Sequence, residues 1–154
     1  MDRANAFNSP GERDEGDPPG YRPGIVPIGK SAGGKALAVV VYELLEDESV
    51  CPYHYEYEEE WLVVLTGAVV LRGPAGEEQL GAGDVVCFPP GPDGAHKVGN
   101  RSARPARVLM FSSAHRPAVA VYPDSDKIGV WPGDPGDAVM LRRRDGHRDY
   151  WDGE

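Results

Sequence analysis

Cysteine is scarce in this chain. Cys51 and Cys87 are the only two among 154 residues, too few for a disulfide framework, so a reducing, cytoplasmic setting is the expectation. Long apolar runs are absent. The longest, Ala36 to Tyr42, has seven residues, far short of the ~20 that a membrane-crossing helix needs. The first seventeen residues, MDRANAFNSPGERDEGD, hold no apolar core, so no secretory signal is expected. Basic charge is in deficit: 16 Lys and Arg stand against 25 Asp and Glu, a net charge of −9. A non-specific grip on nucleic acid or on an anionic membrane surface is thereby excluded as the main function. No stretch keeps a 3.6-residue apolar period between caps, and no repeat of 20–50 residues is found.

Turn residues are abundant instead, with 20 Gly and 15 Pro. They divide short apolar runs, many of them β-branched: a weak edge run at Ile25–Ile28, then 36–45, 60–72, 77–80, 84–88, 95–99, 106–112, 119–122 and 139–143. Gly67 reads as a turn or bulge inside the 60–72 run, and Gly73-Pro74-Ala75-Gly76 as a hairpin turn. This amounts to roughly eight to ten strands with turns every ~8–12 residues, the pattern of an all-β sandwich or barrel. Residues 1–24 are rich in Pro, Gly, Asp and Glu and taken alone would be disordered. As an ordered arm they would need a surface to lie on, such as a partner subunit.

The chemistry concentrates in His54-Tyr55-Glu56-Tyr57-Glu58-Glu59-Glu60-Trp61. Alternate side chains of a strand share a face, so His54 and Glu56 point the same way. Glu60 joins them if the next strand starts in register, on the face that also carries Leu62, Val64 and Thr66. His96 is a fourth candidate, behind the Pro89–Gly94 loop. Imidazole nitrogen and carboxylate oxygen suit a divalent first-row metal. Spacing alone leaves open which of Glu58, Glu59 and Glu60 points inward, and acidic runs in an acidic protein are more often surface charge.

The stretch from His54 to Asn100 resembles the two sequence motifs of the cupin superfamily. His54, Glu56, Glu60 and Gly67 stand where the first motif has two histidines one residue apart, a glutamate and a glycine. Gly83, Pro89, Gly91, His96 and Asn100 match the second, with fifteen residues between Gly67 and Gly83. There are three departures: Glu56 replaces the second histidine, four residues rather than two separate Gly91 from His96, and Glu48 stands where the family has a leading glycine. More narrowly, the chain resembles small single-domain cupins of the conserved-barrel type, a group that implies no particular reaction.

The resemblance implies an all-β double-stranded β-helix, the jelly-roll cupin barrel, over residues 25–122. Residues 1–24 form an N-terminal arm, and 123–154 an extension docked on the barrel or on a partner subunit. It implies a site in the wider mouth, where His54, Glu56, Glu60 and His96 hold one divalent ion (Zn, Mn, Fe or Ni), and a homodimer. The function implied is a metal-binding cupin. It could be an enzyme of dioxygenase, isomerase or decarboxylase type on a small oxygenated molecule, or a non-catalytic binder of a sugar-like ligand; the sequence leaves enzyme activity open. Without a metal, Glu56 and Glu60 would be two carboxylates in one partly buried cavity, one of them holding a proton.

Other residues have plainer expectations. Trp61 is read as core or interface, Tyr55 and Tyr57 as outward packing, and Cys51 and Cys87 as small buried hydrophobes. Residues 122–131 read as a turn followed by a short apolar piece. The Arg142–Arg144 cluster is expected to be neutralised by nearby acids, which argues against a phosphate site there. His115 and His147 fit no motif. Tyr150 and Trp151 are expected to dock the tail onto the barrel or a second subunit.

Overall fold

A computed structural model describes residues 1–146 and 148–153; His147 lies outside the described residues. The β-branched run of the sequence forms β2 (Leu37–Leu44), which pairs antiparallel along its whole length with β9 (Ala106–Ser113). β9 pairs in turn with β4 (Glu60–Thr66), and β4 with β7 (Val85–Phe88). The short β1 (Gly24–Val26) completes this five-stranded sheet at its edge, where Pro27, which lacks an N–H, ends it.

Two smaller sheets close the jelly roll. The hairpin β5 (Ala68–Gly73) and β6 (Gly76–Gly81) pairs with β8 (Lys97–Gly99). The other runs β12 (Val139–Arg142), β11 (Lys127–Trp131), β10 (Ala118–Tyr122) and β3 (Tyr55–Glu56). The all-β jelly-roll barrel expected from the sequence is the fold observed. Among the described residues twelve strands form rather than eight to ten. β3 is two residues long and carries no propensity signal of its own. β11 hides in the segment read as turn plus apolar piece. Only short helical turns interrupt the strands, among them α1 (Ile28–Ser31) and α2 (Arg143–Gly146).

The core follows the two-residue period. Leu62 and Val64 of β4 are buried, together with Leu44, Val69, Leu71, Val98, Ala106 and Val108, in one continuous cluster. Full burial of a Leu or Val contributes about 1.5–3 kcal/mol per side chain. Gly67 separates β4 from β5 at φ 76°, and a Cβ there would stand 2.8 Å from the Pro105 carbonyl oxygen. Only glycine meets both conditions.

The N-terminal arm finds its surface within its own chain. Glu12 bridges to Ile25, and the Arg13 guanidinium bonds Glu48 at 2.7 Å and the Arg22 carbonyl. Lys97 donates to the Tyr21 hydroxyl at 2.9 Å, and Arg107 donates to the carbonyls of Phe7 and Ser9. Glu48, the departure from the leading glycine of the first motif, is thus an anchor for the arm. Three expectations are corrected. Tyr55 packs as expected, buried in a second cluster with Ala95 and Val121, but Tyr57 does not and is exposed. Cys87 is exposed, because it sits opposite Trp61 on the outer face of the sheet. Tyr150 and Trp151 pack on each other and stay exposed, so they do not dock on the barrel.

Candidate metal centre

Two distant segments meet at the mouth of the barrel. His54 and His96 exchange backbone hydrogen bonds, N–H of His54 to O of His96 at 3.0 Å and the reverse at 2.7 Å. This isolated bridge brings residues forty-two positions apart into register, with ring centroids 4.7 Å apart. Glu60 enters from β4, on the face that continues into the core as Leu62 and Val64. The four-residue gap before His96 is filled by a one-turn 3-10 helix, Pro92–Gly94.

Each imidazole is oriented by its Nδ1. In His54 this atom lies 3.1 Å from the Pro52 carbonyl oxygen, and in His96 it lies 2.9 Å from that of Gly94. A carbonyl only accepts, so Nδ1 carries the proton and Nε2 keeps its lone pair. Both Nε2 atoms stand 3.7 Å from Glu60 Oε2. The His96 ring is held by stacking on Phe88 at 3.6 Å, and the His54 ring by Tyr122 at 5.8 Å.

The three ligand atoms lie within 4.8 Å of one another, too far apart for hydrogen bonds. Glu60 Oε2 and His96 Nε2 are buried with no hydrogen-bond partner. Such orphaned atoms are costly unless something else satisfies them. Ligands about 2.0–2.2 Å from a shared tetrahedral ion stand ~3.3–3.6 Å from each other, and the distance from Glu60 Oε2 to each Nε2, 3.7 Å, is already close to that. Donation of the second ring nitrogen to a carbonyl is also the usual arrangement of metal-binding histidines. The residues fit a divalent cation.

Electrostatics agree with that fit. Burial, and then the neighbouring Glu56, push the Glu60 carboxyl up to about 8. Burial, and then His54, push His96 down to about 4. Burial also lowers His54. Burial therefore favours neutral forms throughout: the imidazoles are already in the state that ligates a cation, and a cation would reverse the preference of Glu60 alone by displacing its proton.

Glu56, expected beside the other three, lines the same cavity, but its carboxylate is not among the three clustered ligand atoms. Burial, and then Glu58, raise its pKa, while Arg116 acts in the opposite direction. The cavity has a volume of about 200 Å³ and is also lined by Tyr42, Cys51, Tyr122, Val50 and Met110. Burial raises both phenols, Tyr122 to about 12, so they stay protonated donors.

Sequence reasoning missed these phenols and misplaced Cys51. Cys51 Sγ lies 3.3 Å from His54 Nδ1. Residues 50–53 are bends, so strand alternation does not set the direction of this side chain. Tyr42 had a signal, since it shares parity on β2 with buried Leu44. His115 is exposed, 4.0 Å from Glu58.

The family model described as Cupin domain matches residues 40–112. Among solved structures, a protein of Acidithiobacillus ferrooxidans provisionally named a sugar phosphate isomerase superposes with a TM-score of 0.80. It is 21% identical, over 90% of this chain and 88% of that one. A sugar phosphate isomerase of the cupin superfamily from Silicibacter pomeroyi gives a TM-score of 0.74 at 26% identity, covering 86% and 82% of the two chains. The polyketide cyclase RemF from Streptomyces resistomycificus gives 0.57 at 21%, over 77% and 83%. No curated protein matches the sequence. At these identities the first and third likenesses concern the fold alone.

Proposed function

We propose, from the premise that residues 40–112 are a cupin domain, that the chain binds one divalent metal ion through His54, Glu60 and His96 and acts on a small oxygenated molecule. The observation that carries this reading is the convergence of three ligand atoms, two of them buried and otherwise unpartnered. Zn, Mn, Fe and Ni all suit two imidazoles and a carboxylate. A bound ion supplies Lewis acidity that polarises a carbonyl or hydroxyl oxygen.

Among the reaction types open to such a site, isomerisation has the support of the Silicibacter pomeroyi relative at 26% identity. An aldose–ketose interconversion needs one group to take a proton from the carbon beside a carbonyl and return it to the neighbouring carbon. Glu56 is assigned that role rather than the fourth ligand position, because burial lifts it toward the working range of a general base. The Tyr122 hydroxyl faces the same cavity as a donor to the oxyanion that develops. The test is metal analysis of the purified chain beside Glu60→Ala and His96→Ala. Stoichiometric metal in the parent and none in either variant is expected; unchanged metal in both ends the reading.

We also infer that two copies pair through the outer face of the five-stranded sheet. Two adjoining rows on β9, β4 and β7 carry no charge: Phe111, Trp61 and Cys87, and beside them Leu109, Val63 and Val85, while Val41 at the β2 end is already buried within the chain. An open antiparallel sheet ordinarily turns polar residues to water. A face uniform in this way is self-complementary, as a two-fold pair requires. Light scattering is expected to give twice the chain mass, and Trp61→Glu to return the single-chain mass.

A further inference from the structure

The four-stranded sheet carries the cavity wall outward into an open shelf. Residues directly opposite each other on antiparallel strands put their side chains on the same face. Tyr122 of β10 is opposite Lys127 of β11, which is opposite Arg142 of β12. Tyr122 lines the cavity and stacks on His54. The row Tyr122, Lys127, Arg142 therefore starts at the site and runs away from it on the cavity side. Strands lie ~4.8 Å apart, which puts Lys127 one spacing and Arg142 two spacings beyond the wall.

The shelf is open and partly apolar. A Cβ at Gly129 would stand 2.4 Å from the Trp131 ring and 3.0 Å from Met140 Cε, so both side chains lie over that glycine. Gly129 pairs with Ala120 and Met140, the row next to Lys127, and Met140 is 47% exposed.

The two cations are a local expense to the fold. Like charges directly opposite one another destabilise a sheet. Neither has an acidic partner among the described residues; Lys127 meets only the Tyr122 ring, at 5.5 Å. The nearest acids are engaged elsewhere: Asp126 binds Arg144 at 2.8 Å, and Asp124 binds Arg72 at 2.5 Å. The expectation that acids neutralise the Arg142–Arg144 cluster thus holds for Arg144 and fails for Arg142, which ends β12 without an acidic partner among the described residues.

The geometry points to an anion subsite: Lys127 and Arg142 hold the phosphate or carboxylate of a substrate whose oxygenated end enters the cavity at His54, Glu60 and His96. A cavity of about 200 Å³ is small for a phosphorylated sugar, and the shelf takes the part that remains outside. An anion between the two cations also relieves their repulsion. This inference rests on the proposed metal site and adds the charge of its substrate.

The test is titration calorimetry of the metal-loaded full chain with glucose 6-phosphate, glucuronate and uncharged glucose as probes. One charged probe is expected to bind at least tenfold more tightly than glucose; the first marks a phosphate subsite, the second a carboxylate subsite. In the double variant Lys127→Ala, Arg142→Ala that advantage should vanish, with glucose affinity and metal content unchanged. Arg101→Ala, a cation paired with Glu77 on another sheet, should leave it intact. The inference is overturned if neither charged probe outbinds glucose, or if the double variant keeps the advantage. Loss of metal is read separately on His96→Ala, so failure of the metal site and failure of the anion subsite are told apart.

Discussion

β4 passes through two environments in five residues. Its first residue, Glu60, ends in a polar mouth among two histidines and two tyrosines. Its third and fifth, Leu62 and Val64, point the same way and are buried in the aliphatic core. The strand geometry is the same at both ends, and only the occupants differ. The aliphatic end gives the barrel its stability. The polar end keeps atoms that the protein alone leaves unsatisfied, so it stores a free-energy deficit that a cation can repay.

The largest contrast between the two ends comes from deleting one member of each. His96→Ala is expected to remove metal binding entirely, read by elemental analysis, while the barrel stays folded. Leu62→Ala should do the opposite: it costs about 2–5 kcal/mol of stability by denaturant unfolding, while the folded fraction keeps its metal. A protein in which Leu62→Ala abolished metal binding in the folded state would join the two regions into one.

Glu60→Leu sharpens the comparison by extending the aliphatic row into the mouth. Replacing a buried, unpartnered carboxyl by an apolar side chain should raise the melting temperature of metal-free protein and eliminate metal binding.

Acidity separates the ends more gently. Glu60, raised from 4.5 to about 8, holds a proton in the folded metal-free chain that the unfolded chain has lost. Its contribution is complete below pH 4.5 and disappears as pH rises through 8. His96, lowered from 6.5 to about 4, contributes above 6.5 and loses that contribution as pH falls through 4. Between pH 6.5 and 8 the contribution of His96 is constant while that of Glu60 is falling. The melting temperature of metal-free protein should drift down across that window, and added zinc should cancel the drift.

The smallest effect is expected at the cavity wall. Tyr122→Phe keeps the ring against His54 and removes one hydroxyl. Metal content should not change, while affinity for an oxygenated ligand should fall by a few-fold in calorimetry.

Much of this was legible beforehand because it depends on local rules. The β-branched runs named most strands, Gly67 announced the break between β4 and β5, and the resemblance to the two cupin motifs, rather than spacing alone, singled out His54, Glu60 and His96. What stayed hidden depends on partners. β3 exists only because β10 pairs with it. Cys51 sits in bends where parity has no meaning. The separation of Arg142 from Arg144 became visible only once β12 had its register. Cys87 showed that an apolar strand need not be buried on both sides.

Arg107 has a consequence for the order of assembly. Its guanidinium holds the carbonyls of Phe7 and Ser9, 100 and 98 positions upstream. During synthesis, these two carbonyls leave the ribosome early and gain this partner only after a residue two-thirds of the way along has emerged. A segment translated near the start thus completes its contacts late.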